Sequence, residues 1–226
     1  MNPPAVLAAS YLGPEGFGND LTGLRPWPWP LAEELARGEL AGLHWSLLSA
    51  SDPSRFLRMD LMCRLGFMAV ELLDAHFEAR PAVQRDRLGV CVESFTGSLD
   101  TDIRFAQTPR PSIFAYTLPS TVIGEICIRF GFRGPVLSLV AARPGGENAG
   151  TEAAAWLATG EADLALCLSL EALNPSTART LPLPPALAPC LWHGAALLLG
   201  REDGSPRAKP FLAGPLAAAC QRWVCR

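Results

Sequence analysis

At 226 residues, with 49% of them hydrophobic and 18% charged, the chain is long enough to bury one sizeable core. The formal net charge is −3 and no block of Lys and Arg occurs, which argues against nucleic-acid binding. No run of eighteen apolar residues is present, and the N-terminal MNPPAVLAAS lacks the basic start of a signal peptide. We therefore expect one domain over residues 1–226, in the cytoplasm, with no membrane span and no nucleic-acid partner.

The seven cysteines are scattered, most of them inside apolar runs, and no Cys-x-x-Cys pair exists. This pattern favours buried thiols over a zinc site or a disulfide framework. Cys220 and Cys225 are near enough in sequence to pair, but in a reducing cytoplasm we expect them to be free. We predict no metal and no cofactor.

Five apolar runs have the length of a strand. In chain order they are Ala5–Tyr11, Arg87–Glu93, Val136–Ala141, Leu164–Leu170 and Leu191–Gly200. The first is followed by a glycine-rich segment, 13–18, whose spacing differs from the dinucleotide fingerprint. A plain loop is the better interpretation of that segment than a nucleotide site.

Helical patterns alternate with these strands. They cover Leu31–Arg37, Ser54–Phe77, Ser120–Phe130 (with Ser120 as N-cap) and Glu147–Ala158. Pro26–Pro30 (PWPWP) is stiff and aromatic, and we expect it to pack its tryptophans onto the domain. Phe95–Phe105 is predicted to be a polar loop, in which Asp100 and Asp102 are solvated rather than metal-bound because no third ligand is near. A short C-terminal segment ends the chain.

The order of elements, β-α-β-α-β-α-β-β, predicts an α/β protein with a mixed five-stranded sheet and helices on both faces. Its central stretch, 131–172, reads as strand, glycine-bearing turn (Pro144-Gly145-Gly146), helix and strand. Many α/β enzymes place a nucleophile at such a turn, because a helix N-terminus stabilises negative charge. Here the turn begins with Arg143.

Five segments, in order, resemble the N-terminal half of a β-ketoacyl synthase of the thiolase-like fold. They are SRFLRMD (54–60), RLGVCVESFTGSLDTDIRF (87–105), FAYTLPSTVIGEICIRFGFRGP (114–135), GEADLALCLSLEA (160–172) and WHGAALLLG (192–200). The third segment is the most specific match. More narrowly, the chain is similar to the short synthase-like domains of aryl polyene and related fatty acid or polyketide pathways.

The resemblance implies a thiolase-like half-fold in which the family's C-terminal half, with its second set of catalytic residues, is absent. It places Arg143 where the family has its nucleophilic cysteine, and a guanidinium neither attacks an acyl group nor deprotonates. We therefore expect a non-catalytic protein that pairs with a complete β-ketoacyl synthase or with a second copy of itself. The strand leading into the turn is the expected pairing edge, and the candidate interface residues are Val136, Leu137, Leu139 and Trp156.

Two alternatives stay open at this stage. The first is a module that binds an acyl chain or an acyl carrier protein, with Arg143, Arg129 and Arg133 meeting phosphate or an acidic surface. The second is an acyltransferase that uses residues other than the family's, since the turn at the helix start could still hold an acyl oxyanion. The helix at 147–158 also needs a cover, which we expect from PWPWP, from the Trp223 tail or from a partner.

Overall fold

One mixed sheet of eight strands is the centre of the computed structural model, which describes residues 4–37, 39–43, 56–78, 82–143, 148–181, 192–201, 209–210 and 216–224. The predicted turn at 144–146, the residues that follow Leu181 up to the last predicted strand, and Cys225 lie outside the described residues. The strands are β1 (Ala5–Gly13), β2 (Gly16–Asn19), β3 (Gly23–Arg25), β4 (Leu88–Ser94), β5 (Val136–Val140), β6 (Leu164–Ala172), β7 (Trp192–Gly200) and β8 (Lys209–Pro210).

The strands follow the order β3-β2-β1-β7-β6-β4-β5, and β8 pairs with β1. β4 runs parallel to β5 and β6, whereas β7 is antiparallel to both β6 and β1. The class predicted from the sequence, a mixed sheet within an α/β protein, is confirmed. The predicted number of strands, five, is wrong, because the five long strands are joined by the short β2, β3 and β8.

Helices cover both faces of the sheet, as predicted. They are α1 (Leu31–Ala36), α2 (Leu61–Glu71), α3 (Asp74–Glu78), α4 (Ala82–Asp86), α5 (Leu99–Gln107), α6 (Pro111–Phe114), α7 (Thr121–Phe130), α8 (Asn148–Thr159), α9 (Pro175–Ala178) and α10 (Leu216–Val224). α2 and α7 pack into the larger hydrophobic core, on one face, and α8 and α10 pack into the smaller core, on the other. β4, β6 and β7 are buried along their whole length, which explains why most of their residues are apolar.

The single helix predicted over Ser54–Phe77 is wrong. Phe56–Arg58 forms a 3₁₀ turn, α2 begins after Asp60, and a separate short helix follows at Asp74–Glu78. Asp60 has an extended backbone and its carboxylate accepts a hydrogen bond from the Cys63 N–H at 2.9 Å, so it caps α2 and starts the helix there.

Two predicted loops are also wrong. Most of the segment 95–105 is helical, with Asp100 and Asp102 in the first turn of α5, where the helix dipole favours acidic groups. The segment 13–18 is a hairpin: Pro14 and Glu15 form its turn, and Gly16 begins β2. Gly18 has no room for a side chain, since a Cβ there would collide with the carbonyl group of Gly23 on β3.

The PWPWP segment packs one of its two tryptophans. Trp27 is buried in the larger core, stacks on Phe17 and donates from Nε1 to the Gly13 carbonyl at 2.8 Å, while Trp29 is exposed. Because Trp27 lies on the face opposite α8, PWPWP does not cover that helix.

The apolar side of α8 faces the chain's own sheet, through Ala149, Ala153, Trp156 and Leu157. Its outer side is exposed but carries only small or polar residues such as Glu152 and Ala155. α10 lies on the same face of the sheet, over β1 and β7. The helix therefore exposes little of the apolar surface for which a cover was expected. In the described part of the chain, no helix combines the length and the apolar character needed to cross a membrane.

Candidate functional site

Polar side chains collect where the parallel strands end, on the face that α8 covers. Glu93 of β4 lies beside Ser169 of β6, and Glu171 of β6 lies beside His193 of β7. All four are buried. In an α/β sheet the carboxyl ends of the strands are the usual place for a site.

Glu93 caps α8. Its carboxylate accepts hydrogen bonds from the backbone N–H of Asn148 at 2.7 Å, from the Asn148 side-chain amide at 2.9 Å and from the N–H of Ala149 at 2.9 Å. The first N–H groups of a helix have no partner within the helix, and its N-terminus carries partial positive charge. Glu93, only 1% exposed, satisfies both needs from inside the protein.

Glu171 holds the segment after β4 in the same way. Its carboxylate accepts from the Phe95 N–H at 2.9 Å, the Thr96 N–H at 2.9 Å and the Thr96 hydroxyl at 2.8 Å. The Thr96 hydroxyl in turn accepts from the Ala172 N–H at 3.2 Å. This buried acid therefore fixes the start of the segment that leads to α5.

Ser169 and His193 form a hydrogen-bonded pair that substrate cannot reach. The Ser169 hydroxyl lies 3.1 Å from Nε2 of His193, and both residues are buried. Burial lowers the pKa of His193 to about 4, so the imidazole is neutral near pH 7. The distance suits a serine and its base, but the closed surroundings indicate a structural pair.

Arg143 lies at this end of the sheet and is exposed. It follows Ala141, whose N–H bonds to the Ser94 carbonyl at 3.0 Å and extends β5 along β4. A guanidinium supplies five hydrogen-bond donors and no nucleophile. The residue at this position can bind an anion, but it cannot carry an acyl group.

None of the described cysteines is a reactive thiolate. Cys63, Cys91, Cys167 and Cys220 are free and buried, and Cys127 is half-buried. Burial raises the pKa of every one of these thiols, that of Cys91 to about 12. A thiol with a raised pKa is neither nucleophilic nor a ready metal ligand near pH 7. Among the residues that the structure covers, no group of three or more His, Cys, Asp or Glu is placed to hold a metal ion.

The three arginines proposed from the sequence do not lie together. Arg133 precedes β5 and Arg143 follows it, so the strand separates them. Arg133 pairs with Asp86 at 3.6 Å, and Arg129 lies 3.8 Å from Glu71, with its guanidinium 5.7 Å from the Phe130 ring centre. A shared anion site formed by all three is excluded by this placement.

Among the strands that the structure describes, β5 lies at an edge of the sheet, as its proposed pairing role requires. Val136 is 57% exposed and Val140, at its other end, is 81% exposed, while Leu137 and Leu139 are half-buried. Trp156, the fourth interface candidate, does not lie at the surface. Its ring packs in the smaller core, where a side chain at Gly89 would collide with it.

An arginine-rich cleft between the start of α2, α5 and α6 was missed in the sequence. It has a volume of about 790 Å³. The side chains that line it include the basic residues Arg58, Arg64, Arg104 and Arg110, the acids Asp60 and Asp100, and the apolar residues Leu57, Leu61, Ile113 and Tyr116. The four arginines stand in two segments that are far apart in the chain, which is why no basic cluster is visible in the sequence.

The cleft is lined by four arginines but only two acids, and both carboxylates already accept hydrogen bonds. The Asp60 carboxylate is buried and bonded to the Cys63 N–H and to the Thr101 hydroxyl at 2.7 Å, and Asp100 accepts from the Thr177 hydroxyl at 2.7 Å. Both acids are thus engaged by neutral donors. The four guanidinium groups leave the cleft suited to anions.

Comparison with known proteins agrees with this fold. The sequence matches the family model described as beta-ketoacyl synthase, N-terminal domain, over residues 43–181, which is more than half of the chain. The ishigamide ketosynthase/chain length factor aligns with a TM-score of 0.63 at 20% identity, covering 92% of this chain and 64% of its own. The chain therefore spans less than two thirds of that relative's length. No curated protein sequence matches it.

Two further solved structures are similar. The ketosynthase (ApeO) in complex with its chain length factor (ApeC), from Xenorhabdus doucetiae, aligns with a TM-score of 0.55 at 16% identity, covering 88% of this chain and 79% of that one. A beta-ketoacyl synthase from Burkholderia phymatum STM815 aligns with a TM-score of 0.59 at 16% identity, covering 88% and 59%. At these identities the likeness establishes the fold, and the thiolase-like class predicted from the sequence is confirmed.

Proposed function

Because the chain belongs to the β-ketoacyl synthase N-terminal domain family, we propose that it is a non-catalytic subunit that pairs with a complete condensing enzyme. The pathway would be fatty acid or polyketide synthesis of the aryl polyene type, in the cytoplasm, with residues 1–226 acting as a single synthase-like domain. The observation that carries the proposal is the exposed Arg143 at the end of β5, where the family resemblance expects a nucleophilic cysteine.

The chemistry of the described residues supports the absence of catalysis. The five described thiols are buried or half-buried and have raised pKa values, and Ser169 is closed to substrate. Condensation requires an acyl group on a nucleophile that the carrier-bound substrate can reach. Mass spectrometry of the chain after incubation with an acyl carrier thioester should show no acyl adduct, and an adduct at any residue would contradict the proposal.

The position of β5 at the edge of the described sheet supports pairing. An exposed edge strand offers unpaired backbone groups, and the exposed Val136 and Val140 add apolar surface to it. Two of the similar structures are a ketosynthase/chain length factor and a ketosynthase in complex with its chain length factor. A subunit that pairs with a complete synthase through β5 is consistent with both observations.

Co-expression with a complete β-ketoacyl synthase tests the pairing. We expect the two to co-purify, with the mass of a one-to-one complex by light scattering. Val140→Lys on β5 should disrupt the complex, whereas Ile128→Lys, an exposed apolar residue on α7, should not. A dimer of this chain alone that Val140→Lys dissociates would replace the partner by a second copy. A monomer in both experiments would refute pairing.

The arginine-rich cleft favours a second function, the binding of an acyl carrier protein. Its four arginines suit a phosphate-bearing arm and an acidic protein surface, and its apolar side chains suit the arm itself. Arg58→Ala with Arg110→Ala should weaken binding of the phosphopantetheine-bearing carrier at least about tenfold in calorimetry, or roughly 1.4 kcal/mol.

Two single variants test the sites against each other. Arg133→Ala, whose arginine pairs with Asp86 at the other end of β5, should leave affinity for the carrier unchanged. Arg143→Ala tests the residue proposed from the sequence. A loss of affinity in that variant and none in the cleft variant would move the carrier site to the end of β5.

A further inference from the structure

The carboxylate of Glu93 lies at the N-terminus of α8, a position at which helices commonly bind anions. Glu93 stands on β4, 55 residues before Asn148, and its carboxylate bonds to the first two backbone N–H groups of α8. The Asn148 side chain bonds to the other carboxylate oxygen. Both oxygens of Glu93 therefore face the start of a helix of 12 residues.

The hydrogen-bond donors around Glu93 compensate for the burial of its carboxylate. A carboxylate that is 1% exposed loses its hydration and has to be compensated by donors. Three N–H donors and the positive end of α8 supply that compensation, in the arrangement with which helices bind phosphate or carboxylate ligands. The same donors are then unavailable to any other anion.

We infer that Glu93 is an internal ligand that closes the N-terminus of α8 and prevents this end of the sheet from holding an acyl oxyanion or a thiolate. This inference rests on the proposed non-catalytic function and adds a second cause to it. The alternative of an acyltransferase relied on the helix start as an oxyanion site, and Glu93 already occupies the N–H groups of Asn148 and Ala149. A second negative charge beside Glu93 would be repelled and would find these donors engaged.

The inference is tested by removing the internal ligand and supplying a free one. Glu93→Ala deletes two carbons and two oxygens, and these are the heavy atoms of acetate. At pH 7 the variant should melt well below the wild type in sodium chloride. Sodium acetate at equal ionic strength should raise its Tm by about 3 °C or more, as a ligand that binds only the folded state does.

Glu152→Ala, which removes an exposed acid from the same helix, is the matched control and should melt like the wild type in both salts. Equal melting of the two variants, or no effect of acetate on Glu93→Ala, would overturn the inference. If Glu93→Ala does not fold, Glu93→Gln keeps the volume and removes the charge. Stability of Glu93→Gln equal to that of the wild type would then overturn it.

These measurements need neither a synthase partner nor an acyl substrate. Failure of the Glu93 tests would leave the proposed pairing standing. Conversely, an acyl adduct on the wild-type chain would refute the proposed function, whatever the variants show about the cap.

Discussion

The carboxyl end of the sheet and the arginine-rich cleft use their charges in opposite ways. At the sheet end, Glu93 and Glu171 are buried and each accepts three hydrogen bonds from the chain itself. In the cleft, four arginines line a volume of about 790 Å³. The first region uses its polar groups in internal hydrogen bonds, whereas the second lines a cleft with twice as many guanidinium groups as carboxylates. The carboxyl end of the sheet, where α/β folds usually have their sites, is thus a closed end, the region whose acids are already hydrogen-bonded within the protein.

The largest effect is expected at Glu171. Replacing it with Ala leaves the N–H groups of Phe95 and Thr96 without their partner, inside the protein. We expect a loss of about 3 kcal/mol in the free energy of unfolding, measured by urea denaturation. Glu161→Ala, at an exposed position near the start of β6, should change that free energy by less than about 0.5 kcal/mol. Similar losses in both would mean that the closed end does not depend on its acids.

His193 should make the closed end sensitive to acid. Its pKa falls from 6.5 to about 4 on burial, so the unfolded chain takes up a proton more readily than the folded one. The free energy of unfolding keeps its full value with respect to this group above pH 6.5. As the pH falls from 6.5 towards 4, that free energy should decrease by about 3 kcal/mol in all, because the unfolded chain is protonated first. Unfolding measured across this range should show the loss in the wild type and much less of it in His193→Gln.

Ser169→Ala is the control for that measurement. It removes the hydroxyl 3.1 Å from Nε2 but leaves the imidazole buried. Because burial is the cause of the lowered pKa, this variant should keep the loss of stability between pH 6.5 and 4. If the free energy of unfolding of Ser169→Ala did not change between pH 6.5 and 4, the hydrogen bond, rather than burial, would set the pKa of His193.

A cysteine introduced at position 143 should not by itself become a reactive thiolate. The thiol introduced by Arg143→Cys is expected to titrate no lower than a free thiol, about 8.5, because Glu93 holds the donors that would stabilise a thiolate. Its rate with iodoacetamide at pH 7 should match that of Ala155→Cys, on the outer side of α8, after subtraction of the wild-type rate. A rate about tenfold higher at position 143 would show that the helix start is still available to an anion.

The smallest effect on stability is expected in the cleft. Arg110 is exposed, so Arg110→Ala should change the free energy of unfolding by less than about 0.5 kcal/mol. The contrast with Glu171→Ala, in the same urea experiment, measures the difference between the two regions. Strong destabilisation by Arg110→Ala would make the cleft a structural feature like the sheet end.

Local patterns in the sequence were sufficient for the long strands and for the helices α7 and α8, whereas most of α5 was predicted to be a loop. β4, β6 and β7 are mostly apolar because both faces of each are buried, and this signal does not depend on their neighbours. The hairpin β2–β3 was missed because Gly16 and Gly18 resemble a loop, and only pairing with β1 makes them a strand. The start of α2 after Asp60 was missed because the apolar pattern continues across this position, whereas the Asp60 cap decides where the helix begins.

The sequence by itself determined the α/β class, the five longer strands and the family, since local patterns of neighbouring residues carry these signals. It also places Arg143 where the family resemblance expects a nucleophilic cysteine. Only the tertiary structure decided how the charges are used. Glu93 bonds to the start of α8, which is 55 residues away in sequence, and Glu171 bonds to Thr96, which is 75 residues away. The cleft brings together arginines from two distant segments of the chain. Hydrogen bonds and electrostatic fields depend on distance in space, and the sheet sets those distances only after it has formed.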